Sequence, residues 1–299
     1  MFDMRAYIAS LIGVFLALAI GILLGLVLQE KTPLVSQIDR QIRGLEADVK
    51  EVRTENSEMS SEAASHRDFE RRAVPVLAEG RLAGTSVVLV SGEKTSTKLS
   101  TRVAKVLEDA GGDVAQIKMG RTDLSERRLR SLEEAISEGG DATADASSST
   151  EKSKTADAAA LSVESLPGLL ADALVEEDGN PLLVQMSRAG LMRLVTPVPV
   201  EVRAALILVD PTEERDRETA EGFLVSLSEE LAERKLQVVA AEAAASDDSL
   251  MSLFGAPTIS TVDNIDEPLG ELSAVYALSG VSGSYGSKEQ AESPVPELR

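Results

Sequence analysis

The pattern of hydrophobic and polar positions divides the chain into an apolar opening, a heptad region and an alternating region. The opening runs from Ala6 to Gln29 without a charged residue. A helix needs about 20 apolar residues to cross the hydrocarbon core of a bilayer, and a secretory signal has an apolar region of only about 7–15 residues. The following sequence, VLQEKT, lacks the small residues of a cleavage site. We therefore predict an uncleaved transmembrane helix over residues 6–29, in contact with the lipid bilayer.

Small residues recur at every fourth position within this predicted helix. They are Gly13, Ala17, Gly21 and Gly25. Residues at this spacing share one helix face, and small residues let two membrane helices approach closely. The face is therefore a candidate dimer interface. Small residues are also common in membrane helices in general, and that simpler explanation stays open.

A heptad repeat follows the apolar opening. The a positions are Val35, Ile42, Val49, Asn56 and Ala63, and the d positions are Ile38, Leu45, Val52, Met59 and His66. β-Branched residues at a with aliphatic residues at d favour a two-stranded coiled coil, and a single Asn at an a position fixes the register. We predict a parallel homodimeric coiled-coil stalk over residues 34–72. Its interface is predicted to contain Ile38, Ile42, Leu45, Val49, Val52, Asn56 and Met59. Packing of this face against the later domain is the alternative.

Strand and helix patterns alternate over residues 84–279. The predicted strands are Thr85–Val90, Val114–Met119, Ala204–Val209, Val238–Ala241 and Ile259–Val262, with Leu182–Met186 and Gly190–Leu194 as further short candidates. The predicted helices are Leu99–Ala110, Ser125–Ile136, Ala158–Leu174, Glu213–Arg234, Asp247–Phe254 and Leu269–Leu278. Such alternation is typical of an α/β fold with helices on both faces of a mainly parallel sheet, so we predict a three-layer α/β domain.

Three segments are expected to fall outside these elements. Pro75 and Gly80 are expected to end the stalk, because proline and glycine interrupt helices. Residues 139–157 contain no aliphatic residue larger than alanine, which predicts a disordered insertion, with a functional loop as the alternative. Residues 280–299 are rich in Gly, Ser, Pro and charge, which predicts a disordered tail.

Composition narrows the possible functions. The 299 residues carry a net charge of −20, which argues against nucleic acid as a partner because such binding requires a basic face. The chain has no cysteine, and its single histidine, His66, lies in the stalk. Cysteine nucleophiles, thiolate metal sites and histidine-based catalysis are therefore excluded from the α/β domain. We predict a protein that is not an enzyme, with no catalytic residues.

Two kinds of site remain to be considered in the α/β domain. The first strand leads into SGEKTSTK rather than a glycine-rich phosphate loop, so we predict no nucleotide cofactor. Asp210 and Asp263 each follow a strong strand, and Asp266 stands just before a predicted helix. Carboxylates in these positions either hold a metal or act as general bases, or they cap the next helix. The capping role is the commoner one.

Several stretches of the sequence together resemble one family. They are MFDMRAYIASLIGVFLALAIGILLG, GTSVVLVSG, LILVD and GAPTISTVDNIDEPLGELSAVYAL. The chain resembles the actinobacterial MctB-type copper transporter family. The resemblance implies a single-pass protein of the cell membrane with its N-terminus in the cytoplasm and its stalk and domain outside. It also implies a role in copper ion homeostasis or efflux. A second implied role is that of a coiled-coil scaffold for a partner in cell-envelope assembly or division.

The sequence gives limited independent support for these implications. Arg5 precedes the apolar stretch and Lys31, Arg40 and Arg43 follow it, which marginally favours a cytoplasmic C-terminus. Copper(I) prefers cysteine and methionine, and the chain has seven scattered methionines. Met186 and Met192 have the pattern of core residues. The resemblance supplies no ligand residues, so the position of any metal site is unknown from the sequence.

Overall fold

The computed structural model describes residues 4–29, 32–120, 129–134, 162–176, 180–199, 201–210, 212, 214–245 and 249–297. The chain divides into two compact units, Met1–His66 and Arg67–Arg299. The expected disordered insertion at residues 139–157 lies outside the described residues. The helix predicted over Ser125–Ile136 is described at residues 129–134, which are helical.

The first unit contains helix α1 (Met4–Gln29) and most of helix α2 (Thr32–Ala78). Within α1, the segment Tyr7–Val27 is long and apolar enough to cross a membrane, with a mean hydropathy of 2.7. Every described side chain of this segment is exposed. Among the described residues it is the one helix with these properties. The length and apolarity predicted for residues 6–29 are thus present in the structure.

Helix α2 runs further than the sequence predicts. We expected Pro75 to end the stalk, yet Pro75 lies inside the helix, which ends at Ala78. A proline inside a helix costs one backbone hydrogen bond because it has no N–H. Val74 and Ala78 on the same turn are 4% and 3% exposed in the core of the second unit. Burial of these side chains offsets the lost hydrogen bond, and the prediction was wrong because it considered proline alone.

A seven-stranded sheet forms the centre of the second unit. Its strands are β1 (Ser86–Ser91), β2 (Asp113–Met119), β3 (Met192–Leu194), β4 (Ala204–Val209), β5 (Gln237–Glu242), β6 (Ile259–Val262) and β7 (Ser284–Tyr285). Their order is β3-β2-β1-β4-β5-β6-β7, and every neighbouring pair is parallel except β2 and β3. Strand β4 is buried along its whole length, as expected for the continuous apolar sequence AALILV.

Helices cover both faces of this sheet. They are α3 (Thr97–Asp109), α4 (Leu166–Val175), α5 (Asn180–Arg188), α6 (Glu214–Thr219), α7 (Val225–Glu233) and α8 (Pro268–Leu278). A π-helical turn at Ala220–Leu224 joins α6 to α7, and 3₁₀ turns lie at Val163–Ser165 and Met251–Phe254. One apolar core contains residues of α4, α5 and α7, and the other contains residues of α3, α8 and the end of α2. Alternate residues of β1 enter different cores, Val88 the first and Val87 the second. The fold is therefore the predicted α/β class with a mostly parallel sheet.

The segment Leu182–Met186 is helical rather than extended. It lies inside α5, where Leu183 and Met186 are buried in the core and Val184 is 37% exposed. Buried residues three positions apart with an exposed one between them follow the helical period. The sequence prediction of a strand was wrong because a short apolar run alone does not distinguish a strand from a buried helix segment.

The C-terminal segment is ordered rather than disordered. Strand β7 pairs in parallel with β6, with Thr261 opposite Ser284 and Val262 opposite Tyr285. Tyr285 is 5% exposed, and its hydroxyl donates to the carbonyl oxygens of Val281 and Ser282. The prediction of a disordered tail was wrong because it counted only aliphatic side chains. Polar contacts and one aromatic ring hold this segment in place.

Candidate functional site

The small-residue face of α1 is open. A Cβ atom added at Gly13, Gly21 or Gly25 would meet no atom within 4 Å, and Ala17 on the same face is exposed. Nothing in the first unit therefore covers the surface that the sequence predicts for helix pairing. Pairing of two such helices remains a prediction.

The heptad seam of α2 is equally uncovered. Exposure of its apolar side chains ranges from 47% at Ile42 to 69% at Met59. Leu45, Val49 and Val52 fall between these values, Asn56 is also exposed, and the side chain of Ile38 lies outside the described residues. The apolar face expected at a dimer interface is present and unburied in the single chain. The coiled coil itself remains a prediction.

Exposed apolar residues reappear on the part of α2 that belongs to the second unit. Phe69 and Val76 are each 71% exposed and lie seven residues apart. Seven residues correspond to two helical turns, so the two side chains share a face. The heptad analysis did not include them, because Ala63 and His66 weaken the seam before this point. The i, i+7 spacing of large apolar residues was the signal that could have found them.

The carboxylates predicted after strands have structural partners. Asp263 is buried, and it accepts hydrogen bonds from the backbone N–H groups of Ser287 at 2.8 Å and Lys288 at 2.9 Å. Gly286 beside it has a φ of +144°, and an added Cβ would overlap the Asp263 carboxylate. Asp263 therefore fastens the C-terminal segment to the carboxyl edge of the sheet.

Asp210 and Asp266 also bind backbone groups nearby. Asp210 accepts from the N–H of Thr212 at 3.1 Å and from its hydroxyl at 2.6 Å. Asp266 accepts from the N–H of Ala244 at 2.6 Å, so it joins two loops. The N-cap of α8 is Glu267, which makes no side-chain capping bond. These contacts agree with a structural role for the two aspartates. The prediction that Asp266 caps α8 was wrong.

A buried ion pair at the same edge was not predicted. Glu242 is fully buried at the end of β5, and its Oε1 lies 2.7 Å from the Nζ of Lys288. The Ser249 hydroxyl donates to the same carboxylate at 2.6 Å, and the Leu250 N–H donates at 2.8 Å. The pairing joins positions 46 residues apart, so no local sequence pattern could reveal it.

A cavity in the second unit lies between the end of α2, helix α3 and helix α8. Its volume is about 350 Å³. It is lined by Arg71, Val74, Pro75, Ala78, Arg102, Val106, Asp109 and Glu271. Four of these residues are apolar and four are charged, so the cavity combines an apolar wall with fixed charges. The sequence analysis did not find it, because its walls come from three separate stretches.

Glu271 is the most deeply buried charged residue of this cavity. Its side chain is 8% exposed, and its Oε1 lies 2.5 Å from the Nε of Arg102. Arg102 is therefore the close cationic partner of this buried carboxylate. Burial raises the pKa of the Glu271 carboxyl above its ordinary value of 4.5, while Arg102 and then Arg71 act in the opposite direction. The stability that Glu271 contributes when protonated is therefore lost as the pH rises through the raised pKa.

The described residues contain no group of three or more His, Asp and Glu side chains arranged to hold a metal ion. Met119 of β2 lies directly opposite Met192 of β3 in the antiparallel register, and both are buried. Met186 is buried in the same core. Thioether sulfur is a ligand that copper(I) prefers, and these three methionines all belong to one apolar core.

Comparison with family models decides the assignment. The model described as "Copper transport outer membrane protein, MctB" matches residues 1–296. The chain belongs to the MctB family. The sequence-based resemblance is therefore confirmed over almost the whole chain. Comparison with curated individual proteins finds no match.

MctB membership supports a function in general terms only. The family description refers to copper transport and to an outer membrane, and it names no enzymatic activity. It supports a copper-transport-related protein of the cell envelope. The N-terminal apolar segment Tyr7–Val27 is consistent with attachment to a membrane.

Proposed function

We propose that this MctB-family chain supports copper homeostasis as a membrane-anchored parallel homodimer, with α1 as its anchor and α2 as its stalk. The observation that carries the proposal is the row of apolar side chains on α2 that stays exposed in the single chain. Burying such a row in a two-stranded coiled coil removes it from water. The copper role rests on the family description.

The anchor fits pairing better than conduction. The stretch Tyr7–Val27 contains no ionisable side chain except the tyrosine hydroxyl at its end. Ion paths through membranes are usually marked by polar or charged groups that face the protein interior. A helix with an open face of small residues instead offers a surface for a second helix. We propose that α1 is retained in the mature protein, crosses the membrane once and leaves α2 and the second unit outside the cytoplasm.

The dimer is tested by placing a charge in the seam. We expect Val52→Lys to weaken self-association of the full chain in lipid nanodiscs or mild detergent by at least about tenfold, because a lysine at a d position would bury an unpaired charge. Thr54→Lys adds the same charge at the outward-facing f position and should leave association unchanged. Analytical ultracentrifugation measures both. Equal association constants for the two variants would show that Val52 does not lie in a dimer interface.

The copper role is tested in cells that lack the chain. Deletion should lower copper tolerance, and the wild-type chain should restore it. The Val52→Lys variant should fail to restore tolerance if the dimer is the working form, whereas Thr54→Lys should succeed. Unchanged tolerance in the deletion strain would contradict the copper role while leaving the dimer intact.

A scaffold for an envelope-assembly or division partner is the second candidate function. The exposed pair Phe69 and Val76 favours it, because this apolar surface lies outside the predicted seam. Crosslinking with mass spectrometry in native membranes separates the two functions. Crosslinks from residues 67–78 to a different protein support the scaffold. Crosslinks only between copies of this chain argue against it.

Direct binding of copper(I) has one expected location among the described residues. Replacing both Met119 and Met192 by leucine should lower copper(I) affinity at least about tenfold, because leucine keeps the core volume but removes the thioether sulfur. Met251→Leu is the control, since Met251 is also buried but lies in a 3₁₀ turn. Competition with a chromogenic copper(I) chelator measures the affinity. Unchanged binding would show that the paired methionines only fill the core.

A further inference from the structure

The cavity between α2, α3 and α8 has one positive charge without a close partner. Arg102 is paired with Glu271, and Lys105 beside the cavity is paired with Asp109 at 3.2 Å. Arg71 lines the cavity, and among the described residues its guanidinium has no hydrogen bond and no ion pair within 4 Å. Its interaction with Glu271 is a longer-range attraction. The charges of the cavity therefore leave one cation available at its rim.

The apolar part of the cavity comes from α2 and α3, while α8 contributes Glu271. Val74 and Ala78 are buried, while Pro75 is exposed and Val106 is half-buried. A volume of about 350 Å³ lies at the small end of the range, about 300–1,000 Å³, that is typical of small-molecule sites. Such sites combine apolar walls with a few fixed polar groups that orient the ligand. The cavity has this composition and accommodates a single ring or a short alkyl chain.

We propose that this cavity binds a small organic monocarboxylate. The apolar body of the ligand lies against Val74, Pro75 and Val106, and its carboxylate pairs with Arg71. A guanidinium binds a carboxylate through two parallel N–H donors, which sets the orientation of the ligand. The site is distinct from the seam of α2 and from the paired methionines, so it depends on neither dimer formation nor copper.

The other charges of the cavity select against other ligand classes. Arg71 can pair with one negative charge, so the second negative charge of a phosphate monoester would find no unpaired cation among the described residues of the cavity. A cationic ligand would meet Arg71 at the rim, and the Oε1 of Glu271 is buried against Arg102 and cannot reach it. A neutral ligand would leave the exposed guanidinium of Arg71 in contact with water and would form no ion pair. A single negative charge on an apolar body is the combination that these residues complement.

Isothermal titration of the full chain in lipid nanodiscs tests the proposal with 3-phenylpropionate as the probe. Matched probes are 3-phenylpropan-1-ol, which is neutral, and 3-phenylpropylamine, which is cationic. We expect the carboxylate to bind at least about tenfold more tightly than either analogue. Only the carboxylate can accept charge-assisted hydrogen bonds from the guanidinium of Arg71. No binding of the carboxylate, or equal binding of all three probes, would overturn the proposal.

Adjacent arginines provide a matched pair of variants. Arg71→Gln should weaken carboxylate binding at least about tenfold and leave the weak binding of the alcohol unchanged. Arg72→Gln removes the same charge one residue away, where the side chain is exposed and paired with Asp68 at 2.6 Å, and should leave carboxylate binding intact. Equal effects of the two variants would indicate a general electrostatic attraction and would overturn the assignment to this cavity.

A third variant tests the apolar wall. Val106→Phe places a larger side chain at a half-buried position of the cavity and should weaken binding of both the carboxylate and the alcohol. The variant retains the charge of Arg71. Weaker binding would therefore show that the apolar body of the ligand lies in the cavity. Undiminished binding in a folded Val106→Phe chain would place the ligand elsewhere.

Discussion

The Gly270→Ala substitution is expected to destabilise the second unit by at least about 3 kcal/mol, at the upper end of the effect of overpacking a core. A Cβ atom on Gly270 would overlap the backbone carbonyl oxygen of Asn264. Backbone atoms in the middle of a packed loop and helix cannot move aside as the end of a flexible side chain can. Gly270 allows the start of α8 to lie directly against the loop that follows β6.

Urea unfolding of the full chain, followed by tyrosine fluorescence, measures this effect. Tyr276 lies on α8 and Tyr285 on β7, so both report on the second unit. Gly222→Ala is the control, because Gly222 is exposed and an added Cβ there would meet no atom within 4 Å. The control should change stability by no more than about 1 kcal/mol. A Gly270→Ala chain as stable as the control would show that the close approach is absent in solution.

The second large effect is expected from Lys288→Met. Removing the ammonium group leaves the fully buried Glu242 carboxylate without its cation, which typically costs about 3–5 kcal/mol. Ser249 and Leu250 still donate to the carboxylate, but they carry no charge. We expect lower global stability together with faster hydrogen exchange in residues 284–297, because Lys288 also fixes this segment.

Two further variants separate the buried pair from a general loss of charge. Glu242→Gln combined with Lys288→Met removes both charges and should recover a large part of the lost stability, as in a double-mutant cycle. Lys105→Met breaks the exposed pair with Asp109 and should cost no more than about 1 kcal/mol. Equal costs for Lys288→Met and Lys105→Met would show that the Glu242 pair is hydrated in solution.

The sequence predicted the framework of the fold because local patterns determine it. The strands Ala204–Val209 and Ile259–Val262 have the predicted bounds, since both are short apolar or β-branched runs between turn residues. The predicted helix at Leu269–Leu278 differs by one residue from α8. By contrast, the helix at Leu182–Met186 and the strand at Ser284–Tyr285 depend on contacts with distant elements. The apolar run at Leu182–Met186 is too short to distinguish a helix from a strand, and Ser284–Tyr285 has no apolar pattern.

The candidate sites differ in the same way. The faces of α1 and α2 were predictable residue by residue, because a helix places residues of fixed spacing on one side. The cavity was not predictable, because Arg71, Arg102 and Glu271 come from three stretches that only the folded sheet brings together. The role of Asp263 was also invisible, because its donors are backbone N–H groups at Ser287 and Lys288 rather than side chains with a motif.

The parallel pairing of β7 with β6 has a consequence for the order of events during synthesis. The carboxylate at Glu242 obtains its cation only after the ribosome has passed Lys288, and Asp263 obtains its donors at the same moment. Until then, the edge of the sheet at β6 is open and a buried charge is unpaired. The sheet of the second unit can therefore be completed only after residues 284–288 have been synthesised. Until that point the β6 edge has unpaired backbone groups, and such an edge can pair with another extended chain.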